Sequence, residues 1–188
     1  MIKTDLQNGR SMIEMLGVLA IIGILTVGGF NLVSKATTEN RINNVIDEVS
    51  SLSHRVRSIF RDYVTTVKPA TNTDFTKYVY DARAYPDVLT YNDSDCSGGF
   101  IDDEDVCMKI TYEKTGSDDM EVHYFILELS KLNDEVCMGL ANGSWGTSAT
   151  NGFLGIGFSK NSLSPRVDLG DATAGCDGDD KTLYLKFK

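Results

Sequence analysis

The chain changes character abruptly along its length. Residues 15–34 (MLGVLAIIGILTVGGFNLVS) carry no charged side chain, whereas the chain after them mixes apolar and polar positions throughout. As a helix, those 20 residues would extend about 30 Å, the hydrocarbon thickness of a bilayer. A helix that is apolar on every side must also be buried on every side. Glu14 stands immediately before the stretch. Burying a carboxylate at that border costs a few kcal/mol unless a cation meets it.

Helical spacing continues past residue 35 but becomes one-sided. Ile42, Val45, Ile46, Val49, Leu52, Val56, Ile59 and Phe60 recur at three- and four-residue steps. Arg41, Asn44, Asp47, Glu48, Ser51, Arg55, Arg57 and Asp62 fall between them. The pattern predicts one long helix over 11–65, its first half bare and its second half packed on a head. The apolar stripe of the second half reads as core and needs no ligand.

The run KPATNT at 68–73 breaks the helix. Residues 74–85 predict a short helix, capped by Thr73 or Asp74 and stopped before Pro86. Residues 106–113 and 121–129 flank TGSDD at 115–119 and read as a hairpin. Val122, Tyr124 and Ile126 alternate with His123, Phe125 and Leu127, so both faces of that strand are expected to be covered. A short helix is expected at 131–141, with strands at 152–158 and 182–187. The fold class is therefore α+β, an antiparallel sheet packed on one long helix, without internal repeats or low-complexity tracts.

Charge and composition narrow the function. Eighteen Lys and Arg against 27 Asp and Glu leave a net charge of -9 over 188 residues. Broad binding to nucleic-acid phosphates is not expected of so acidic a chain. A hydrophobic fraction of 41% excludes a polytopic membrane protein and a disordered chain. The two histidines, His54 and His123, are far apart in sequence. No G-x-S-x-G, H-E-x-x-H or Walker loop is present, and Gly155 and Gly157 lack the context of a phosphate loop. The chain reads as a non-enzyme. Trp145, in Ser144-Trp145-Gly146, is either an exposed contact residue or a core plug.

Three readings of the apolar stretch compete: a cleaved secretory signal, a permanent anchor, and an anchor that later becomes the core of an assembly. The start, MIKTDLQNGR, is only weakly basic, and Ser34-Lys35-Ala36 is the best, yet poor, signal-peptidase site. A disposable signal also gains nothing from the cost of Glu14. Lys3 and Arg10 precede the stretch, which favours a cytoplasmic amino terminus and places residues 35–188 outside.

Gly9-Arg10-Ser11-Met12-Ile13-Glu14, followed by MLGVLAIIGIL, resembles the processing signature of type IV prepilins and pseudopilins. The resemblance implies a leader at 1–9, cleavage after Gly9 by a prepilin peptidase, and methylation of the new amino terminus at Arg10. It implies a membrane-spanning and polymerising segment at 10–34, an amphipathic half of the helix at 35–65, and a globular head at 66–188 ending in a disulfide-bounded loop. Glu14 becomes the fifth residue of the mature chain, placed to meet the amino terminus of a neighbouring copy. In a low-dielectric core that pairing sets register, because only the correct axial offset neutralises both charges. The motif covers roughly the first 30 residues. Two features depart from the family: Arg10 stands where an apolar residue is usual, and Gly28-Gly29 lie near the position of a frequent helix proline. Paired glycines weaken a helix by about 1 kcal/mol each relative to alanine and would supply comparable softness.

The four cysteines, Cys96, Cys107, Cys137 and Cys176, lie on the side expected to be exported, where two disulfides are the natural outcome. Three connectivities are open. Cys96 with Cys107, closing a loop before the first strand, and Cys137 with Cys176, tethering the carboxyl-terminal region, are preferred, and the second resembles the loop-closing bridge of many type IV pilins. Two acidic clusters, Asp102-Asp103-Glu104-Asp105 and Asp177 with Asp179 and Asp180, raise the question of calcium, which some secretion pseudopilins hold near this loop. Neither fits EF-hand spacing, so solvated loop charge is preferred and no cofactor is expected.

The expected function is a structural pilin, anchored in the inner membrane as a precursor and then polymerised into an extracellular filament. Its implied partners are other copies, the prepilin peptidase, an assembly platform and a motor. The alternatives are a pseudopilin of a type II secretion system, or a secreted binding domain released near Ala36 or Thr37.

Overall fold

The structure is a computed structural model that describes residues 8–103, 105–116, 121–178 and 181–188, with the side chains of 8–11 and 27–32 outside the description. The leader residues 1–7, Glu104, the hairpin positions 117–120, and Asp179 and Asp180 thus lie outside the described residues. By internal contacts the chain divides after Asn40 into two compact units.

Helix α1 spans Asn8–Val67 and continues through Gly28 and Gly29. From residue 41 onward its amphipathic stripe works as the spacing predicts: Val45, Val49, Leu52, Val56, Phe60 and Tyr63 are buried, with Ile42, Ile46, Ile59 and Val64 packed at the margin. The helix ends where Lys68 turns left-handed (φ 48°) ahead of Pro69, which cannot continue the hydrogen-bond ladder.

The remaining elements follow in the order β1 (Thr73–Asp74), α2 (Thr76–Asp81), β2 (Thr90–Asn92), β3 (Gly99–Ile101), β4 (Cys107–Thr115), β5 (Val122–Ser130), α3 (Asp134–Ala141), β6 (Phe153–Gly157), α4 (Leu169–Gly175) and β7 (Leu183–Phe187). They form one antiparallel sheet ordered β2-β3-β4-β5-β7-β6, with β1 paired to β4 off that path. The β4–β5 hairpin is in register from Thr115↔Val122 to Cys107↔Ser130. The carboxyl-terminal β7 inserts between β5 and β6, pairing Leu185 with Leu127 on one side and with Ile156 on the other.

One sheet face meets the α1 stripe through an aromatic layer. Phe60 lies 5.2 Å from Phe125, Tyr63 lies 4.2 Å from Phe75, and Phe125 stacks on Phe187 at 5.4 Å. The opposite face is also covered, as the β5 alternation predicts. Ile126 is buried there, and the Lys186 ammonium sits 3.4 Å above the Tyr124 ring centroid. Burial there lowers the Lys186 pKa from its ordinary value, with the nearby Glu113 opposing the shift.

The expected helix over 74–85 is shorter than its pattern. Residues Thr73 and Asp74 pair with Tyr112 and Thr111 of β4 instead, and α2 starts at Thr76. Asp74 still serves the helix entry, its Oδ1 accepting the Thr76 N–H at 2.8 Å. Arg83, at φ 52°, ends the segment before Pro86 is reached. β2, β3 and α4 answer to no expectation from the sequence.

α3 is capped by Asn133, whose side chain accepts the Val136 N–H at 2.8 Å, and Lys181 pairs with Asp134 in its first turn. It packs on α1 at Gly139, where a Cβ would lie 2.5 Å from Ile42 Cδ1 and 2.9 Å from Ile42 Cγ2. Gly139→Ala is therefore expected to displace the whole Ile42 side chain and cost about 1–3 kcal/mol, read as a lowered urea midpoint with unchanged m-value. A smaller residue at 42, as in Ile42→Ala with Gly139→Ala, is expected to recover part of that loss. An unchanged midpoint for Gly139→Ala would show that the α1–α3 contact is loose.

Candidate assembly surface

The first turns of α1 carry the property that sets this chain apart. Met12, Ile13, Met15, Leu16, Val18, Leu19, Ile21, Ile22, Ile24 and Leu25 are all exposed, from 52% at Ile22 to 75% at Ile13 and Ile24. At 3.6 residues per turn these positions point in every direction around the helix, so no polar face faces water. Ordinary single exposed apolar residues need no explanation, but a contiguous apolar sleeve marks a surface that another body covers.

The sleeve is internally satisfied. The Thr26 hydroxyl donates to the Ile22 carbonyl at 2.6 Å, which leaves the helix without a stranded side-chain donor at that level. Gly17 and Gly23 face open space within 4 Å of where a Cβ would stand, so no contact inside the chain requires them. They leave shallow notches into which a neighbouring side chain can fit. Glu14 is exposed and is the one carboxylate between Met12 and Thr26. Helix geometry places Val18 and Ile21 on its face, four and seven residues on.

Gly9 and Arg10 lie in the first helical turn by backbone, with the Arg10 side chain outside the described residues. Arg10 and Glu14 are four residues apart, which stations them one above the other about 6 Å apart along the axis. Among the described residues, no helix is long and apolar enough to cross a membrane.

Residues 41–188 place the other sequence candidates in structural roles. Cys96 pairs with Cys107 and Cys137 with Cys176, at Cα separations of 5.6 and 5.7 Å. Asp102 is buried, and its Oδ1 accepts the Val106 N–H at 2.8 Å, shaping the β3–β4 turn. Among the described residues, no group of three or more His, Cys, Asp or Glu is placed to hold a metal ion. Asp177 is exposed, and its two partners for a calcium reading lie outside the described residues.

Trp145 is a core plug: it is 5% exposed, and its indole N–H donates to the Leu140 carbonyl at 2.9 Å. His54 is exposed on α1, whereas His123 Nδ1 meets the Tyr112 hydroxyl at 2.8 Å. Arg57 stands among the polar residues between the apolar positions of α1, and its spacing gives it no further role. It lines a groove with Arg61, Val122, His123 and Lys188, a set drawn from three distant segments that no local pattern connects.

No protein-family model and no curated protein matches the chain. Among solved structures it is similar to the crystal structure of type IV b pilin from Salmonella typhi, at 15% identity and a TM-score of 0.47, over 72% of this chain and 95% of that one.

Proposed function

We propose that this chain is a type IV pilin-like structural subunit. It is made as a precursor held in a membrane by residues 10–34, cut after Gly9 by a prepilin peptidase, and polymerised through its amino-terminal helix into a filament outside the cytoplasm. The observation that carries this reading is the apolar sleeve from Met12 to Leu25, beside a second unit that closes a hydrophobic core of its own. Each large apolar side chain in the sleeve is worth about 1.5–3 kcal/mol when removed from water. Lipid covers it before assembly, and the same sleeve on other copies covers it afterwards.

Cleavage creates an ammonium at Arg10, one helical turn before Glu14. In a stack of such helices the carboxylate of one copy meets the amino terminus of another, and a wrong offset leaves both charges buried alone. Two disulfides suit an exported head, and an assembly platform and a motor are the further partners of this reading.

Amino-terminal sequencing of the mature protein tests it. A start at Arg10, bearing one methyl group, is expected, together with filaments in electron micrographs of the cell surface. A start near Ala36 or Thr37 would overturn the proposal in favour of a released binding domain. Filaments confined to the periplasm would place the same subunit in a secretion pseudopilus.

A further inference from the structure

The turn that closes α2 holds an arginine where its backbone favours glycine. The Arg83 N–H donates to the Tyr80 carbonyl at 2.9 Å, and the Ala84 N–H donates to the Val79 carbonyl at 3.0 Å. This pair of bonds is the Schellman closure, whose left-handed residue is usually glycine. Here that residue is Arg83, at φ 52°. Val79 and Ala84 are both buried and supply the apolar contact that completes the motif. The turn therefore needs a positive φ but not a guanidinium. Arg83 is exposed, and among the described residues it makes no ion pair. Together with Tyr80, Asp81, Tyr85 and Asp87 it lines a hollow of about 440 Å³.

The aromatic part of the lining is fixed from beneath. Tyr80 stacks on Tyr91 at 4.3 Å and on Tyr85 at 5.9 Å. Tyr85 and Tyr91 in turn pack against the buried Phe100, at 4.9 and 5.8 Å. Rings held in this way lose little freedom when a ligand arrives, and Tyr80 keeps 38% of its surface in water. Of the two carboxylates, Asp81 is engaged by Lys77 at 3.1 Å. Asp87 is exposed and, like Arg83, makes no ion pair among the described residues. A guanidinium and a carboxylate thus line one hollow without neutralising each other, beside two tyrosine rings.

We infer that this hollow binds a saccharide that carries a carboxylate. The polarised C–H groups of a sugar ring pack on the electron-rich surface of Tyr80 and Tyr85. The Arg83 guanidinium offers a carboxylate two parallel N–H donors, and Asp87 accepts from sugar hydroxyls. A neutral sugar would leave Arg83 without a counter-charge, and a multiply charged phosphate would be repelled by Asp81 and Asp87. The volume is that of a small-ligand pocket. The left-handed arginine is then a local strain retained for what its side chain recognises. The hollow lies wholly within residues 41–188 and shares no residue with the apolar sleeve, so the inference stands apart from the assembly reading.

The test titrates the full-length chain, in micelles of a sugar-free detergent, with sialyllactose, trigalacturonate, lactose and inorganic phosphate, following amide shifts by NMR. At least one of the two acidic saccharides is expected to bind with a dissociation constant of about 1 mM or tighter, moving the amides of residues 80–91. Lactose and phosphate should bind at least about tenfold more weakly. Binding of sialyllactose alone would identify a terminal acidic sugar as the ligand, and binding of trigalacturonate alone a uronate within a chain. Arg83→Gly should weaken the binding at least about tenfold while raising the melting temperature by about 2–4 °C, because glycine accepts φ 52° without strain. Tyr80→Ala should weaken it comparably, with a thermal melt confirming that the variant folds. Acidic saccharides that bind no better than lactose, or phosphate that binds as tightly as they do, would overturn the proposal. So would an Arg83→Gly variant that binds normally or melts lower. The readout involves no filament, so the outcome is separate from that of the assembly reading.

Discussion

Glu14→Ala is expected to stop filament growth while leaving the fold of residues 41–188 intact. In the assembled state, alanine leaves the neighbour's amino-terminal ammonium in a low-dielectric core without its counter-charge. Breaking one partner of a buried pair costs about 3–5 kcal/mol, which lowers the equilibrium for adding each subunit by about two to four orders of magnitude. Glu14→Gln keeps the shape and removes the charge, so it should behave like alanine. A loss caused only by altered packing would spare it. The measurements are filament number and length by electron microscopy, alongside the melting temperature of the head. Since Glu14 lies outside the core of residues 41–188, that temperature should not move. Normal filaments from either variant would remove the register role assigned to this carboxylate.

Removal of the Cys137–Cys176 bridge is the second large effect. The bridge spans 39 residues and joins α3 to the end of α4 around β6, and both sulfurs lie within the hydrophobic core. Loop-closure entropy for that span gives about 4 kcal/mol, against about 3 kcal/mol for the 11-residue span of Cys96–Cys107. Paired Cys137→Ala and Cys176→Ala substitutions should therefore lower the urea midpoint more than the equivalent pair at 96 and 107, and reduction of the native protein should reproduce the difference. The smaller bridge has a local consequence instead: without it, the segment between Cys96 and Cys107, β3 included, should exchange amide hydrogens faster while the rest of the core keeps its protection. Equal midpoints for the two variants would mean that the unfolded chain is already constrained around residues 137–176.

Legibility followed the range of the interactions. The α1 stripe is written in three- and four-residue steps, so its buried face from Val45 to Phe60 can be read without knowing what it touches. The β4–β5 hairpin is equally local: alternating residues on both sides of a glycine-containing turn leave one register. The short strands β2 and β3 hold three residues each and are strands only because β4 offers them a ladder. α4, with the sequence LGDATAG, has two glycines in seven residues and little intrinsic preference for a helix; the Asp168 cap and the Cys176 bridge hold it. The expected helix at 74–85 lost its first residues for the same reason, since hydrogen bonds to β4 outbid the weak propensity of DF.

The assembly surface depends on no folding partner, because twenty uncharged residues behind a lone carboxylate announce an apolar rod wherever the chain goes. Amphipathic periodicity and the hairpin likewise arise between residues close in the chain, where spacing alone dictates which side chains share a face. Tertiary packing alone decided that Trp145 fills the core, that Asp102 turns a loop, and that Arg57, His123 and Lys188 line one groove. Those positions are brought together by strand order and by the placement of β7 between β5 and β6, and contacts between residues so distant along the chain leave no periodic trace in it.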